Sequence, residues 1–413
     1  MSSKKKTLMK NTIMLYILTF SNYFFGFITV PYQTRILGPE FYGKIGFAMA
    51  FATYFQLFLD FGFLLSATED VSKNRTEKKE LGKILTAVNY SKMILITIAV
   101  IVLTTICITI PKFRNDYMLY VLYFVYVSIN CFLPDFLYRG LEDMKMITYR
   151  TVLIKLIFTI LIFVFLKNKS QYYLVPIMNI LGALVAVIFA YIHVKRKLNI
   201  KYQKVNKKYI LETLKKSSTF FLSRIATTIY GATNTFILGF IYPTGNVVGL
   251  YTGADKLVST GKSALSPISD SVYPYMVKNK DFKLIKKILL IFMPIIILGC
   301  TIIGIFSKEV CHIILGKEFI NASNILRLML PILVITLPNY LLGFPTMSPL
   351  GISKYANISV IIGSIIQIVN IIILAIIRKL NIYSICIITI ITELSILLIR
   401  IYYIFKKTKE NRL

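Results

Sequence analysis

The sequence predicts an all-α polytopic membrane protein with about twelve transmembrane helices in two six-helix lobes. Two observations carry this. First, the 413 residues are 56% hydrophobic and only 16% charged, with a mean hydropathy of +0.70, whereas a soluble domain would be roughly a quarter charged. Second, the apolar residues fall in runs of about twenty, enough at about 1.5 Å rise per residue to cross the hydrocarbon of a bilayer. A β-barrel is excluded, because barrel strands alternate apolar with polar residues and runs such as Ile361–Ile377 are nearly continuous.

Taken in order, the runs predict helices near 12–34, 42–68, 83–110, 117–138, 148–166 and 172–194, then 216–242, 248–277, 284–306, 323–345, 355–377 and 382–405. The first follows Lys4, Lys5 and Lys6 as a signal peptide would. Its apolar stretch is too long for one, however, and no small-residue cleavage site follows, so it is expected to remain as the first helix. The longest polar segment, Lys195–Lys216, holds nine Lys and Arg residues and falls at the midpoint. It divides the chain into an N-terminal six-helix lobe (1–194), a basic linker (195–216) and a C-terminal six-helix lobe (217–413).

The net charge of +30 has two readings, a nucleic-acid surface or the excess of Lys and Arg that marks cytoplasmic loops. The basic residues concentrate on alternate connections, which favours the second reading and excludes nucleic acid as a partner. It places both termini in the cytoplasm and the chain in the cytoplasmic membrane, with membrane lipids as partners of the basic loops. The five cysteines, Cys107, Cys131, Cys300, Cys311 and Cys386, show no ligand spacing. Cys311 and His312 alone do not make a zinc site, so no metal is expected.

The two halves share a junction. Between helices 1 and 2 the sequence reads Ile36-Leu37-Gly38, then Tyr42-Gly43, then Ala48; between helices 7 and 8 it reads Ile237-Leu238-Gly239, then Val248-Gly249, then Ala254. This punctuation is what a parallel internal duplication leaves, a common plan among transporters.

Helix 8 stands apart. Tyr251, Asp255, Ser259, Lys262 and Ser266 recur at spacings of three and four, on one helix face, and Lys256, Thr260 and Ser263 widen it. Lys262 lies roughly 20 Å from the outer end by helical rise. A polar stripe cannot face lipid. It packs dry, with Asp255 neutralising a lysine, or it lines a wet path; the number of hydroxyls needing partners favours the path. Aligning Gly43 with Gly249 sets Thr53, Gln56 and Asp60 of helix 2 on the equivalent face. Helix 7 adds Arg224, Thr228, Asn234 and Thr235, and helix 1 adds Ser21, Asn22 and Arg35.

The expected substrate-binding groups are therefore Arg224, Lys256, Lys262, Arg35, Asn22, Gln56, Asn234 and Ser259. The cations among them suit an anion such as phosphate. Asp60, Asp255, Asp270 and Glu393 are the candidates to couple a proton or sodium gradient; no resident cofactor is expected. The remaining helices read as walls, with Lys92, Lys155, Arg327 and Arg400 near enough to helix ends to snorkel to the interface. His193 and His312 lie at helix edges and no catalytic pair is visible, which argues against an enzyme.

The stretch Pro31-Tyr32-Gln33-Thr34-Arg35-Ile36-Leu37-Gly38-Pro39-Glu40-Phe41-Tyr42-Gly43, continuing to Asp60-Phe61-Gly62, resembles the opening of Wzx-type polysaccharide flippases. These belong to the multidrug/oligosaccharidyl-lipid/polysaccharide exporter superfamily. The second junction, with Val248-Gly249-Leu250-Tyr251 and Ala254, agrees with it. The resemblance implies two lobes in a V around a cationic cavity. It also implies translocation of undecaprenyl-diphosphate-linked oligosaccharide by alternating access, for surface polysaccharide such as capsule or O-antigen, beside other polysaccharide-assembly proteins. The competing readings are a cation-coupled drug exporter of the same superfamily and a membrane-embedded glycan polymerase or acyltransferase.

Overall fold

Lipid offers a backbone no hydrogen-bond partner, so a spanning chain must close its bonds within each segment. The computed structural model answers with helix in every apolar run and no strand among the described residues. It describes residues 3–242 and 244–410, and within them the side chains of all but 3–12, 15, 22–23, 222–224 and 226–230.

Twelve long helices follow one another among the described residues. They are α1 (3–37), α2 (39–60, continued by Phe63–Lys73), α3 (Lys78–Thr109), α4 (Tyr117–Cys131, continued by Asp135–Gly140), α5 (Met144–Phe165) and α6 (Leu174–Arg196). Then come α7 (Lys207–Ile241), α8 (Gly245–Asn279), α9 (Phe282–Ile305), α10 (Ala322–Leu342), α11 (Ser353–Ile376) and α12 (Ile382–Glu410). Nine helical stretches among the described residues are long and apolar enough to cross a membrane, and the first of these, Tyr16–Lys73, is two spans folded at one point. That point is Gly38, whose φ of 67° and ψ of 175° are open essentially to glycine alone. The polar α7 and α8 complete the twelve. The chain is a multi-pass membrane protein.

By packing, the chain divides into two compact units, 1–37 with 45–228 and 38–44 with 229–413. The boundary between these units falls inside α7, and the turn at 38–44 joins the second unit. Close backbone contacts explain both.

In the second unit the 38–44 turn lies against the start of α8 with no side chain between. A Cβ on Gly43 would sit 1.9 Å from the Gly245 carbonyl oxygen and 2.5 Å from the Gly249 nitrogen; one on Gly249 would sit 1.8 Å from the Pro39 oxygen. Gly43 and Gly249, the aligned glycines of the two junctions, thus touch each other. Tyr42 is buried beside them, its ring edge-on to Phe319 at 6.0 Å.

In the first unit the end of α2 holds the first turns of α7. Ser66 Oγ and Ser217 Oγ are 2.7 Å apart, Phe61 stacks on Phe221 at 4.9 Å, and Lys216 pairs with Asp70 and, at 3.6 Å, Glu69. Gly62 turns the chain there with φ of 79°, and a Cβ on it would meet the Ser217 oxygen at 2.6 Å. Phe47, Phe51, Phe113 and Tyr120 interlock as an aromatic core.

Two of the four charges expected to snorkel do not. Lys92 is 4% exposed; its ammonium lies over the Phe63 and Phe136 rings and donates to the Cys131 carbonyl. α4 ends at Cys131, which leaves that carbonyl without a helical donor, and the lysine supplies one. Arg400 is likewise buried, as described below. Arg327 is exposed, with Nε donating to the Gly304 carbonyl at 2.9 Å.

The glycine contact predicts that Gly249→Ala destabilises the protein by about 1–3 kcal/mol, the usual cost of overpacking, and lifts the 38–44 turn. In a cysteine-free background, a cysteine at position 42 should gain labelling by a water-borne maleimide when Gly249→Ala is added. Equal labelling in both backgrounds would refute the contact.

Candidate functional site

α8 begins after Thr244 and is capped at Lys280, whose left-handed backbone (φ 52°) lets its N–H donate a hydrogen bond to the Met276 carbonyl. Pro267 and Pro274 lie inside it. Each proline lacks an amide proton, so the Ser263 and Asp270 carbonyls lose their intrahelical donors. Such groups are tolerated in a membrane where protein or a cavity meets them.

Three hydroxyls of the stripe are satisfied from within the helix: Ser259 and Thr260 donate to the Lys256 carbonyl at 3.0 and 2.8 Å, and Ser263 to that of Ser259 at 2.7 Å. Back-bonding to the preceding turn supplies their partners, while the Tyr251 hydroxyl accepts from Asn234 on α7.

The lysine also has a partner, and it is not Asp255. Lys262 Nζ lies 2.6 Å from Glu393 Oε1 on α12, and the glutamate is 7% exposed. The other carboxylate oxygen of Glu393 accepts from Asn339 Nδ2 on α10 at 2.9 Å. The Asn339 carbonyl in turn accepts from Arg400 Nη1, and Arg400 Nε donates to Ser359 Oγ on α11 at 3.0 Å. Gly343 makes room for the guanidinium, since a Cβ there would lie 3.0 Å from Arg400 Nη1. A charged chain thus runs Lys262–Glu393–Asn339–Arg400 across three helices, α8, α10 and α12.

A cavity of about 430 Å³ opens beside the end of this chain, lined by Asp270, Tyr273, Asn339, Tyr340 and Arg400 among others. Asn339 Oδ1 is buried with no hydrogen-bond donor among the described residues. Carboxylate, guanidinium and an open acceptor around one space suit a water or a proton-bearing species, because a buried acceptor left empty costs about 1–3 kcal/mol.

Asn234 forms a second knot. Its Nδ2 donates to Tyr251 Oη at 3.0 Å and to Thr389 Oγ1 at 2.8 Å, and its Oδ1 accepts from Gln367 Nε2 at 2.8 Å. Both amide protons are used, so α7, α8, α11 and α12 are tied through one side chain.

Of the expected residues, the structure brings Lys262 and Glu393 together and sets Asp270 on the cavity. Asp255 and Ser259 are half-buried and Lys256 is exposed on the same helix. Arg35, exposed, and Gln56 and Asp60, half-buried, belong to the first unit. The side chains of Asn22, Arg224 and Thr228 lie outside the described residues. Asn339, Gln367 and Arg400 were not anticipated as site residues. The signal was available, since each is a strong hydrogen-bonding group inside a long apolar run. No group of three or more His, Cys, Asp or Glu residues placed to hold a metal occurs among the described residues.

The charged chain makes Lys262 and Glu393 energetically coupled. Lys262→Met and Glu393→Gln should each destabilise the protein, and the double variant should fall short of their sum by about 1–3 kcal/mol. Denaturant unfolding in detergent measures this; additive losses would show the contact to be inert.

Comparison with known proteins places this architecture. Residues 8–280 match the family described as "Polysaccharide biosynthesis protein". Two curated relatives, both named "Putative O-antigen transporter", come from Escherichia coli (strain K12) and Shigella dysenteriae. The first is 29% identical over 80% of this chain and 81% of its own length, the second 27% over 87% and 91%. Among solved structures, "Lipid II flippase MurJ, inward closed conformation" superposes with a TM-score of 0.74 at 14% identity, covering 96% of this chain and 87% of that one. An inward-facing multidrug resistance MATE family transporter of the MOP superfamily gives 0.62 at 15% identity, covering 97% and 99%. The fold is therefore the one these transporters share, and with two thirds of its length matched the chain belongs to the polysaccharide biosynthesis protein family.

Proposed function

We propose that the protein is a flippase that carries an undecaprenyl-diphosphate-linked oligosaccharide across the cytoplasmic membrane by alternating access, for surface polysaccharide assembly. The observation that carries the reading is the family match over residues 8–280 of a twelve-helix chain. The names of the two relatives agree with it. In this reading both termini are cytoplasmic, and the two six-helix lobes, 1–194 and 217–413, are the bodies that rearrange about the 195–216 linker.

The diphosphate is the charged part of such a substrate, and cations on helix faces are what it requires. Lys256 and Arg224 are assigned that contact, with Arg35, Asn22, Gln56 and Ser259 as polar neighbours. Lys262 is assigned a positioning role, because Glu393 already neutralises it. Asn234 is assigned to the fold of its unit, its amide protons being spent. Glu393, within the Lys262–Arg400 chain, and Asp270, on the cavity beside its Arg400 end, are the assigned proton carriers, ahead of Asp60 and Asp255. Other polysaccharide-assembly proteins are the expected partners.

The test is complementation of a strain lacking its own flippase, followed by surface glycan yield. Lys256→Ala is expected to leave unfolding within about 0.5 kcal/mol of the parent, as for an exposed side chain whose ammonium has no hydrogen bond among the described residues, and to lower translocation at least several-fold. Full translocation by Lys256→Ala and Arg224→Ala at normal protein levels would overturn the phosphate contact. Separately, Glu393→Gln should make transport insensitive to collapse of the proton gradient, whereas a response equal to the parent's would remove Glu393 from coupling.

A further inference from the structure

The basic 195–216 segment is not spent on charge topology alone. Where it crosses α3 and α6 in the first unit it closes a cavity of about 770 Å³. The closure is built. A Cβ on Gly82 would lie 2.1 Å from the Lys201 carbonyl oxygen, so the segment rests directly on the α3 backbone. The Gln203 amide donates to Thr86 Oγ1 at 3.1 Å. Asn89, 8% exposed, donates to the hydroxyls of both Tyr191 on α6 and Tyr202 in the segment, each at 2.8 Å. Helix, helix and segment are pinned by one amide at the cavity floor.

The cavity's chemistry is divided. Lys204 and Lys207 line it from the segment, both exposed and neither in an ion pair among the described residues. Tyr90, Met93, Phe132 and Val187 form an apolar wall. The wall continues outward. Tyr90, Met93, Ile94, Ile98 and Ile101 lie on one exposed face of α3, and the rise from Tyr90 to Ile101 is about 16 Å. That is close to half the ~30 Å hydrocarbon of a bilayer, the depth of one leaflet. Leu184 and Ile188 of α6 are exposed alongside.

Two unpaired ammonium groups above a one-leaflet apolar rail match a molecule with a phosphate at one end and a hydrocarbon chain at the other. We propose that this cavity is a seat for an anionic glycerophospholipid, its phosphate between Lys204 and Lys207 and an acyl chain along α3. A lipid-linked sugar fits less well, because the Asn89 amide is spent on the Tyr191 and Tyr202 hydroxyls and the Tyr191 hydroxyl donates in turn to the Phe132 carbonyl. A seated lipid would fasten the segment joining the two sequence halves to the first unit. The assignment is independent of what the protein carries.

The experiment uses the full chain purified in detergent and read by native mass spectrometry and thermal unfolding. Phosphatidylglycerol is compared with phosphatidylcholine, and undecaprenyl phosphate is the competitor. Phosphatidylglycerol is expected to be retained stoichiometrically and to raise the melting temperature, and phosphatidylcholine to do neither. In K204A/K207A the affinity for phosphatidylglycerol should fall by roughly 10- to 30-fold, from about 1 kcal/mol per basic residue. K286A/K287A, which removes the same charge from the start of α9, should retain it. Equal loss in both double variants would mean diffuse attraction and overturn the seat. So would retention in K204A/K207A, or displacement of phosphatidylglycerol by a single equivalent of undecaprenyl phosphate. A melting temperature for lipid-free K204A/K207A equal to the parent's is expected, and a drop there with unchanged lipid affinity would likewise refute the proposal.

Discussion

A charge at the middle of a membrane helix costs about 2.5–3.5 kcal/mol on insertion scales, and the second unit holds two of them against each other. The Lys262–Glu393 pair, 2.6 Å apart, is what permits α8 to be polar at mid-length. Without Glu393 the lysine would have to reach water through the stripe, and without Lys262 the glutamate would be a nearly buried anion. Asn339 and Arg400 extend the arrangement by satisfying the second carboxylate oxygen and the backbone behind it. Because breaking one partner of such a pair leaves the other uncompensated, α8, α10 and α12 are committed to a common position. The Asn234 knot commits α7 and α11 as well. A transporter that must change shape has here a body that resists internal change.

The spans were legible from the sequence because hydrocarbon thickness imposes a length and apolarity that few other constraints imitate. Even α7 and α8, too polar for a hydropathy criterion, were placed by the apolar residues between their polar positions. Partners were less legible. The local carboxylate that spacing offered Lys262 was Asp255, as the dry-packing alternative to a wet path; the actual partner lies 131 residues away, where no local spacing can point. Lys92 and Arg400 were expected to snorkel because each is near a helix end. That reasoning weighs the distance to water and omits acceptors in neighbouring helices: the Cys131 carbonyl, left open where α4 breaks, and the Asn339 carbonyl, which takes the guanidinium beside its bond from the Gly343 amide. The hydroxyls of α8 show a different limit of spacing. Serine and threonine in a helix can bond to the preceding turn, so a polar stripe in sequence overstates the polarity the helix presents.

The duplicated junction was visible as a repeat of Gly and Tyr or Val at matching offsets, but its purpose was not. The structure supplies it. Gly43, Gly245 and Gly249 are required because carbonyl oxygens of the 38–44 turn and of α8 occupy the space of three Cβ atoms. A different constraint makes Gly38 necessary one turn earlier, since its backbone at φ 67° and ψ 175° is what bends the chain between α1 and α2.

α2 is consequently held at both ends by close backbone approach, and its end adds polar and aromatic contacts. At its start the turn meets α8 backbone to backbone, through dispersion that falls away within an ångström of separation, each atom pair being worth only about 0.1–0.2 kcal/mol. At its end Gly62 lies against the Ser217 carbonyl in the same manner, and the buried Ser66–Ser217 hydroxyl pair, the Phe61–Phe221 stack and the half-exposed Lys216–Asp70 pair are added to it. Ion pairs at such exposure contribute little net stability, about 0–1 kcal/mol. The glycines, rather than the more conspicuous charges, therefore set how closely α2 is held at either end.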